Sequence, residues 1–139
     1  MPQGVNGQIG EIGATPAHFY DDYFFKAKPL PNAGEVTSEM FTLNNTLAQL
    51  QIRGTISGPL TLAAGATISA KLQYHDGTTW KDDQTLWSRT GAATVPAGDV
   101  FLFVIPPDTV KRDYRVVMTA SFNASTVSIT CPIEQIPKP

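Results

Sequence analysis

Four segments of the sequence alternate between apolar and polar residues with the period of two that is typical of β-strands. The apolar positions are Ala48, Leu50, Ile52 and Ile56 in the first segment; Ile68, Ala70, Leu72 and Tyr74 in the second; Tyr114, Val116, Met118, Ala120 and Phe122 in the third; and Val127, Ile129, Cys131 and Ile133 in the last. Each segment therefore predicts a strand with one buried face and one face in contact with water. No segment has a convincing helical period.

Two further patterns refine these strands. The run from Val100 to Ile105 is apolar on both faces, which predicts a central strand or one that is covered on both sides. Pro106 and Pro107 end this run. The short segment Phe122–Thr126 separates the last two alternating segments, and it predicts a hairpin between them.

The turn at His75-Asp76-Gly77 decides which way Trp80 faces. A three-residue loop with Gly77 in the left-handed region places Trp80 on the same side as Leu72 and Tyr74. Burial of an indole ring contributes a few kcal/mol at about 25 cal/mol per Å², so this loop is favoured over a two-residue loop. Trp87 then falls in a second short strand, residues 85–89.

These patterns divide the chain into three parts. Residues 1–35 have no period and are predicted to form an extended N-terminal arm, residues 36–133 form the β-domain, and residues 134–139 form a Pro-rich tail. Many short strands with turn residues between them indicate an all-β fold, specifically an antiparallel β-sandwich.

The arm contains a cluster of aromatic residues that no regular core element explains: Phe19, Tyr20, Tyr23, Phe24 and Phe25. Aromatic side chains dominate the binding energy of protein interfaces, so we predict that this cluster anchors a partner. The alternative is that these aromatic residues cover the open end of the protein's own sandwich.

Composition excludes several classes of function. The 139 residues carry a net charge of −2 and are only 16% charged, which gives no basic patch for nucleic acid. We find no apolar run of the ~18 residues that a membrane helix needs, and no signal peptide, and we expect a soluble protein in a reducing compartment. The single cysteine, Cys131, is expected to be a buried small apolar residue.

The sequence offers no recognisable catalytic or metal site. His18 and His75 lie far apart and have no metal-ligand spacing, and no serine lies in a nucleophile motif. Adjacent carboxylates such as Asp82 and Asp83 would point to opposite faces of a strand. We therefore expect no enzymatic activity, no cofactor and no bound metal.

Charged residues of both signs lie between the apolar run and the third alternating segment. Lys111 and Arg112 are flanked by Asp108 and Asp113. Such a corner is either solvated surface, where ion pairs contribute about 0–1 kcal/mol, or a polar contact with a partner. We keep Lys111 and Arg112 as predicted interface residues.

The residues around this corner resemble a known family. The run from Ile105 through Lys111-Arg112 to Val116, continued by residues 117–129, is similar to tailed-bacteriophage capsid decoration, or cement, proteins of the Bordetella-phage type. The shared features are a Pro-containing turn, a basic pair, an aromatic-apolar strand and a Phe-containing hairpin. The turn Asp76-Gly77-Thr78-Thr79-Trp80 also resembles one that is common in phage β-modules.

The resemblance implies a jelly-roll-like β-sandwich that binds the outer surface of an assembled capsid. It further implies a dimer, a major capsid protein as the partner, and synthesis in the cytoplasm of a bacterial host. Two other functions stay open. One is a carbohydrate-binding or receptor-binding module that uses Trp80, Trp87 and Tyr74 as a stacking platform, and the other is a tail or head-completion module.

Overall fold

The computed structural model describes residues 11–12, 23–43, 48–105 and 112–137, and every regular element in these ranges is a β-strand. The strands are β1 (Glu11–Ile12), β2 (Tyr23–Pro29), β3 (Asn32–Thr37), β4 (Phe41–Leu43), β5 (Ala48–Ile56), β6 (Leu60–Leu62), β7 (Thr67–His75), β8 (Trp80–Thr90), β9 (Ala93–Val95), β10 (Gly98–Ile105), β11 (Arg112–Asn123) and β12 (Ser128–Pro137). The prediction of an all-β protein is confirmed.

Two sheets carry most of these strands. Sheet A has the order β1-β4-β11-β7-β8, with β3 also paired to β11, and sheet B has the order β10-β5-β12-β2. Pairing is antiparallel except between β1 and β4, and β6 with β9 forms a separate two-stranded sheet. The chain passes repeatedly from one sheet to the other, as in a jelly roll. The fold is therefore the predicted antiparallel, jelly-roll-like β-sandwich.

The core lies where the alternating segments face one another. Ile52 of β5, Leu72 of β7 and Val116 of β11 are fully buried, and so is Cys131 of β12. Their polar neighbours Arg53, Gln73 and others point outward, so the buried face that alternation predicted for each of these strands is confirmed.

The predicted hairpin between the last two strands is wrong. β11 belongs to sheet A and β12 to sheet B, so the segment after Asn123 carries the chain across the core. A hydrogen bond from Val127 N to Ala124 O (3.1 Å) closes this turn, and Asn123 Oδ1 accepts one from Ser125 N (3.0 Å). The alternating pattern shows which face of a strand is buried. It does not show whether two strands are paired in one sheet or lie in two sheets that face each other across the core.

Strand β2 and the first part of β3 lie within the range that is predicted to be an extended arm. β3 crosses the predicted boundary at residue 35, and β12 continues past residue 133 to Pro137. The backbone explains why β2 and β3 show no period, because Ala27 and Ala33 have positive φ angles of 49° and 48° and interrupt the alternation.

Strand β10 is an edge strand of sheet B and is not the central strand that was predicted. Phe101 and Ile105 point into the core, but Leu102 and Val104 point outward and are 58% and 43% exposed. Both faces of β10 are apolar, but the described part of the chain covers only the face that carries Phe101 and Ile105.

Candidate interaction surfaces

The aromatic cluster of the predicted arm is divided by the structure. Phe24 and Phe25 are 3% and 4% exposed and belong to the core of the sandwich. Phe24 meets Phe41 of sheet A edge to face, with ring centroids 5.4 Å apart, while Phe25 pairs with Cys131 of sheet B. For these two residues the alternative interpretation holds, because they close the protein's own sandwich and are not free to anchor a partner.

The remaining predicted interface residues have different positions. Tyr23 begins β2 and is half-buried, and the Lys26 ammonium group lies 5.1 Å from the centroid of its ring. Arg112 begins β11, where its backbone pairs with Leu43. Phe19, Tyr20 and Lys111 lie outside the described residues, so their roles stay predictions.

The loop between β7 and β8 has four residues, Asp76–Thr79, instead of three. The Asp76 carboxylate accepts hydrogen bonds from the backbone N–H groups of Thr78 and Thr79, both at 2.8 Å, and Gly77 has the predicted positive φ, at 99°. These two hydrogen bonds, aided by Lys81, lower the pKa of Asp76.

The longer loop reverses the predicted orientation of Trp80. Trp80 pairs directly with His75, so it lies on the outer face of sheet A and not on the core side with Leu72. The Arg115 guanidinium covers the indole at 4.2 Å from the ring centroid, and the His75 ring contacts its edge at 5.1 Å. The indole of Trp80 is therefore packed against Arg115 and His75 on the outer face of sheet A and is not buried in the core.

A continuous polar network surrounds this indole, and we call it the Trp80 face. Its members are Lys71, Gln73 and His75 of β7, Trp80 and Asp82 of β8, and Arg115 of β11. The Gln73 amide accepts a 2.8 Å hydrogen bond from Arg115 Nε and donates a 2.8 Å hydrogen bond to Asp82. The bond from Gln73, with the nearby Lys71 ammonium at 3.5 Å, lowers the pKa of Asp82.

The two tryptophans do not form a stacking platform. Trp87 pairs with Ala70 on the core side of sheet A and is 8% exposed, whereas Trp80 lies on the opposite side of the same sheet. Tyr74 pairs with Tyr114, which also faces the core. The arrangement that the carbohydrate-binding alternative requires is therefore absent from these three residues.

A second surface lies on the outer side of β10, and we call it the β10 surface. Leu102 and Val104 are its apolar centre and are the exposed large apolar residues of the described chain. Arg53 of β5 lies beside Leu102 in the sheet, 3.6 Å from Asp99 and 3.3 Å from Glu134. The surface thus combines an apolar centre with a charged rim, as protein interfaces do.

The edges of the two sheets differ in how well they are protected against pairing with another chain. β2 carries Lys26, Lys28 and two register shifts, and β8 carries several charged residues and two register shifts. Charges and bulges of this kind prevent edge-to-edge association. β10 has one register shift near Asp99 and then five apolar residues, so its edge is the least protected of the three.

Sequence reasoning missed Leu102, Val104 and Arg115. The double apolar pattern of Val100–Ile105 was the available signal for the first two, but it was attributed to a buried strand. For Arg115 no local signal exists, because Trp80 reaches it only through the pairing of β7 with both neighbours.

Within the described residues, no group of three or more His, Cys, Asp or Glu side chains is arranged to hold a metal ion. None of these residues forms a helix long and apolar enough to cross a membrane.

No protein-family model and no curated protein matches the sequence. Among solved structures, the chain is similar to the infectious bursal disease virus VP2 subviral particle, with 15% identity and a TM-score of 0.45 over 90% of this chain and 34% of that chain. It is also similar to the structure of the Gt strain of that virus, with 15% identity and a TM-score of 0.43 over 90% of this chain and 34% of that chain. The chain therefore spans about a third of the length of these proteins, and likeness at this level carries no argument about function.

Proposed function

We propose that this protein is a structural cement protein that binds the outer surface of a bacteriophage capsid and stabilises contacts between major capsid protein subunits. Its action is physical: bound copies add buried area that must be lost before the shell opens. The burial of Phe24 and Phe25 moves the proposed contact away from the N-terminal cluster, and we assign it to the β10 surface.

The observation that carries this proposal is the exposure of Leu102 and Val104 on an edge strand. Their 58% and 43% exposure is unfavourable in water, since each Å² of apolar area costs about 25 cal/mol. Exposed apolar groups that form a patch with a polar rim mark interaction sites. The edge of β10 also offers backbone N–H and C=O groups to a partner strand.

The resemblance of residues 105–129 to capsid decoration proteins supports the choice of partner. Only part of this stretch, residues 112–129, lies in the described chain together with Ile105. A specific interface of standard size buries about 1,600 Å² in total, so the β10 surface would form the centre of a larger contact.

Co-sedimentation with undecorated phage capsids tests this function. We expect the wild-type protein to pellet with capsids and to raise the temperature at which they open. Leu102→Lys places a charge in the apolar centre, so it should reduce binding at least tenfold while the fold is kept, because position 102 is exposed. Thr61→Lys, at an exposed position of β6, is the matched control and should bind like the wild type.

Two results would overturn the proposal. The first is failure of the wild-type protein to pellet with any undecorated capsid of the phage that encodes it. The second is undiminished binding by Leu102→Lys, which would place the contact elsewhere on the molecule.

A further inference from the structure

We propose that Arg115, on the Trp80 face, binds the carboxylate of an acidic side chain on the surface of the partner protein. The inference rests on the proposed function, because the partner is the capsid protein that the β10 surface contacts. It adds a second, polar contact of defined chemistry to the apolar one.

Arg115 is held in place from two sides. Its guanidinium lies 4.2 Å from the centroid of the Trp80 ring, and its Nε donates a 2.8 Å hydrogen bond to Gln73 Oε1. Gln73 is itself fixed, because its amide nitrogen donates to Asp82 at 2.8 Å. An arginine side chain that is ordered before binding loses less conformational entropy when a ligand arrives.

The same contacts decide which part of the guanidinium is available. Nε is engaged by Gln73, which leaves the two terminal nitrogens, Nη1 and Nη2, at the free end of the group. These two nitrogens present parallel N–H donors, and a carboxylate matches their spacing with its two oxygens. The geometry therefore favours end-on, bidentate binding of a planar anion.

The charge balance of the Trp80 face also favours an anion. Lys71 is paired with Asp82, and Lys81 with Asp76, at 3.5 and 3.7 Å. None of the ion pairs among the described residues includes Arg115.

The nearest carboxylate along the strand forms no ion pair with Arg115 among the described residues. Asp113 lies two residues before Arg115 on β11 and accepts a hydrogen bond from the Thr42 hydroxyl. The positive charge of Arg115 is therefore not matched by an ion pair within this face.

The residue types of the Trp80 face favour a protein as the source of the carboxylate. Trp80 lies on the outer face of sheet A, and Leu102 and Val104 lie on the outer face of sheet B, so the polar contact and the apolar contact are separate. Tryptophan and arginine are also the residue types most enriched among the residues that dominate interface energy.

Three variants test the proposal in the same co-sedimentation assay with undecorated capsids. Arg115→Gln removes the charge and the two parallel N–H donors, and it should weaken binding tenfold or more, in the range for a charge-assisted hydrogen bond. Arg115→Lys keeps the charge but not the parallel donors, so it should recover only a small part of this loss. Arg89→Gln, at an exposed arginine of β8, removes the same charge elsewhere and should bind within twofold of the wild type.

A pH series compares the wild type with Arg115→Gln, because carboxylates of the protein itself, such as Asp82 beside Gln73, also take up protons at acid pH. Capsid binding of the wild type should weaken more than that of the variant as the pH falls through about 4, where a partner carboxylate takes up its proton. Thermal unfolding of each variant in the absence of capsids shows whether it is folded before it is compared.

The outcomes separate this inference from the proposed function. If the wild type does not bind capsids, the proposed function fails. If the wild type binds and folded Arg115→Gln binds equally well, the proposed function stands and the carboxylate contact is refuted. Equal losses for Arg115→Gln and Arg89→Gln would indicate general attraction between net charges, and would also refute it.

Discussion

Gly54 leaves space for the ring of Phe101 because it has no side chain. Gly54 of β5 lies opposite Phe101 of β10, and a Cβ atom at position 54 would overlap the Phe101 ring. The ring thus covers bare backbone, which connects the edge strand to the core even though Leu102 next to it is exposed.

Gly54→Ala should therefore destabilise the protein by about 1–3 kcal/mol, the usual cost of overpacking a core site. Urea unfolding followed by tryptophan fluorescence measures this loss. Gly58→Ala is the control, since nothing lies within 4 Å of a Cβ at that position, and it should unfold like the wild type. Equal stability of the two variants would contradict the proposed packing of Phe101.

Burial changes the titration of Cys131. It is fully buried, and desolvation raises the pKa of its thiol to about 12. In the unfolded chain the thiol has a pKa of about 8.5 and loses its proton first. The contribution to stability is therefore complete below that value and is lost as the pH rises towards 12.

Between pH 8 and pH 10 the free energy of unfolding should fall by about 1–2 kcal/mol more for the wild type than for Cys131→Ala. The comparison with the variant removes the effects of lysine and tyrosine, which both proteins share. Denaturation curves at the two pH values give the difference. Identical pH dependence of the two proteins would show that the thiol ionises freely in the folded state.

At the scale of the strand, sequence reasoning was most reliable where one face is buried and the other is wet. Ile68, Ala70 and Leu72 of β7 repeat every second residue because one face of the strand lies on the core. β2 has no such repeat, because the register shift between the pairs Phe25–Cys131 and Tyr23–Pro132 leaves an extra residue, Phe24, so that adjacent residues are both inside. Its aromatic residues were therefore attributed to a partner.

The strand β2 gives a direct test of that correction. Phe24→Ala should lower the free energy of unfolding by about 3–5 kcal/mol, because it removes a buried ring and its edge contact with Phe41. Thermal unfolding measures the loss, and Tyr23→Ala, at a half-buried position of the same strand, should cost less. A stable Phe24→Ala variant that no longer binds capsids would instead restore the original prediction.

At the scale of the whole molecule, alternation predicted a sandwich but could not assign its strands to sheets. β11 and β12 are consecutive, alternate clearly and are joined by four residues, 124–127, yet they lie in different sheets. The pairing of β11 with β3, β4 and β7 decides this, and these pairings depend on contacts between residues far apart in sequence. For the same reason the Trp80 face, which joins three strands, is visible only in the folded protein.

The division of the chain into an arm and a domain has the clearest consequence for the molecule as a unit. Residues 23–37 supply β2 to sheet B and β3 to sheet A, together with three buried large apolar side chains of the core, Phe24, Phe25 and Leu30. Each buried large apolar side chain contributes about 2–5 kcal/mol, and their sum approaches the whole stability of a typical domain, about 5–15 kcal/mol.

A chain without residues 1–35 should therefore not fold, whereas an interaction arm could be removed without loss of structure. Near-UV circular dichroism and urea unfolding distinguish these cases, and deletion of residues 1–10 is the control because it keeps every described strand. If the chain that lacks residues 1–35 unfolds cooperatively at the wild-type midpoint, the predicted boundary at residue 35 is correct and β2 is dispensable.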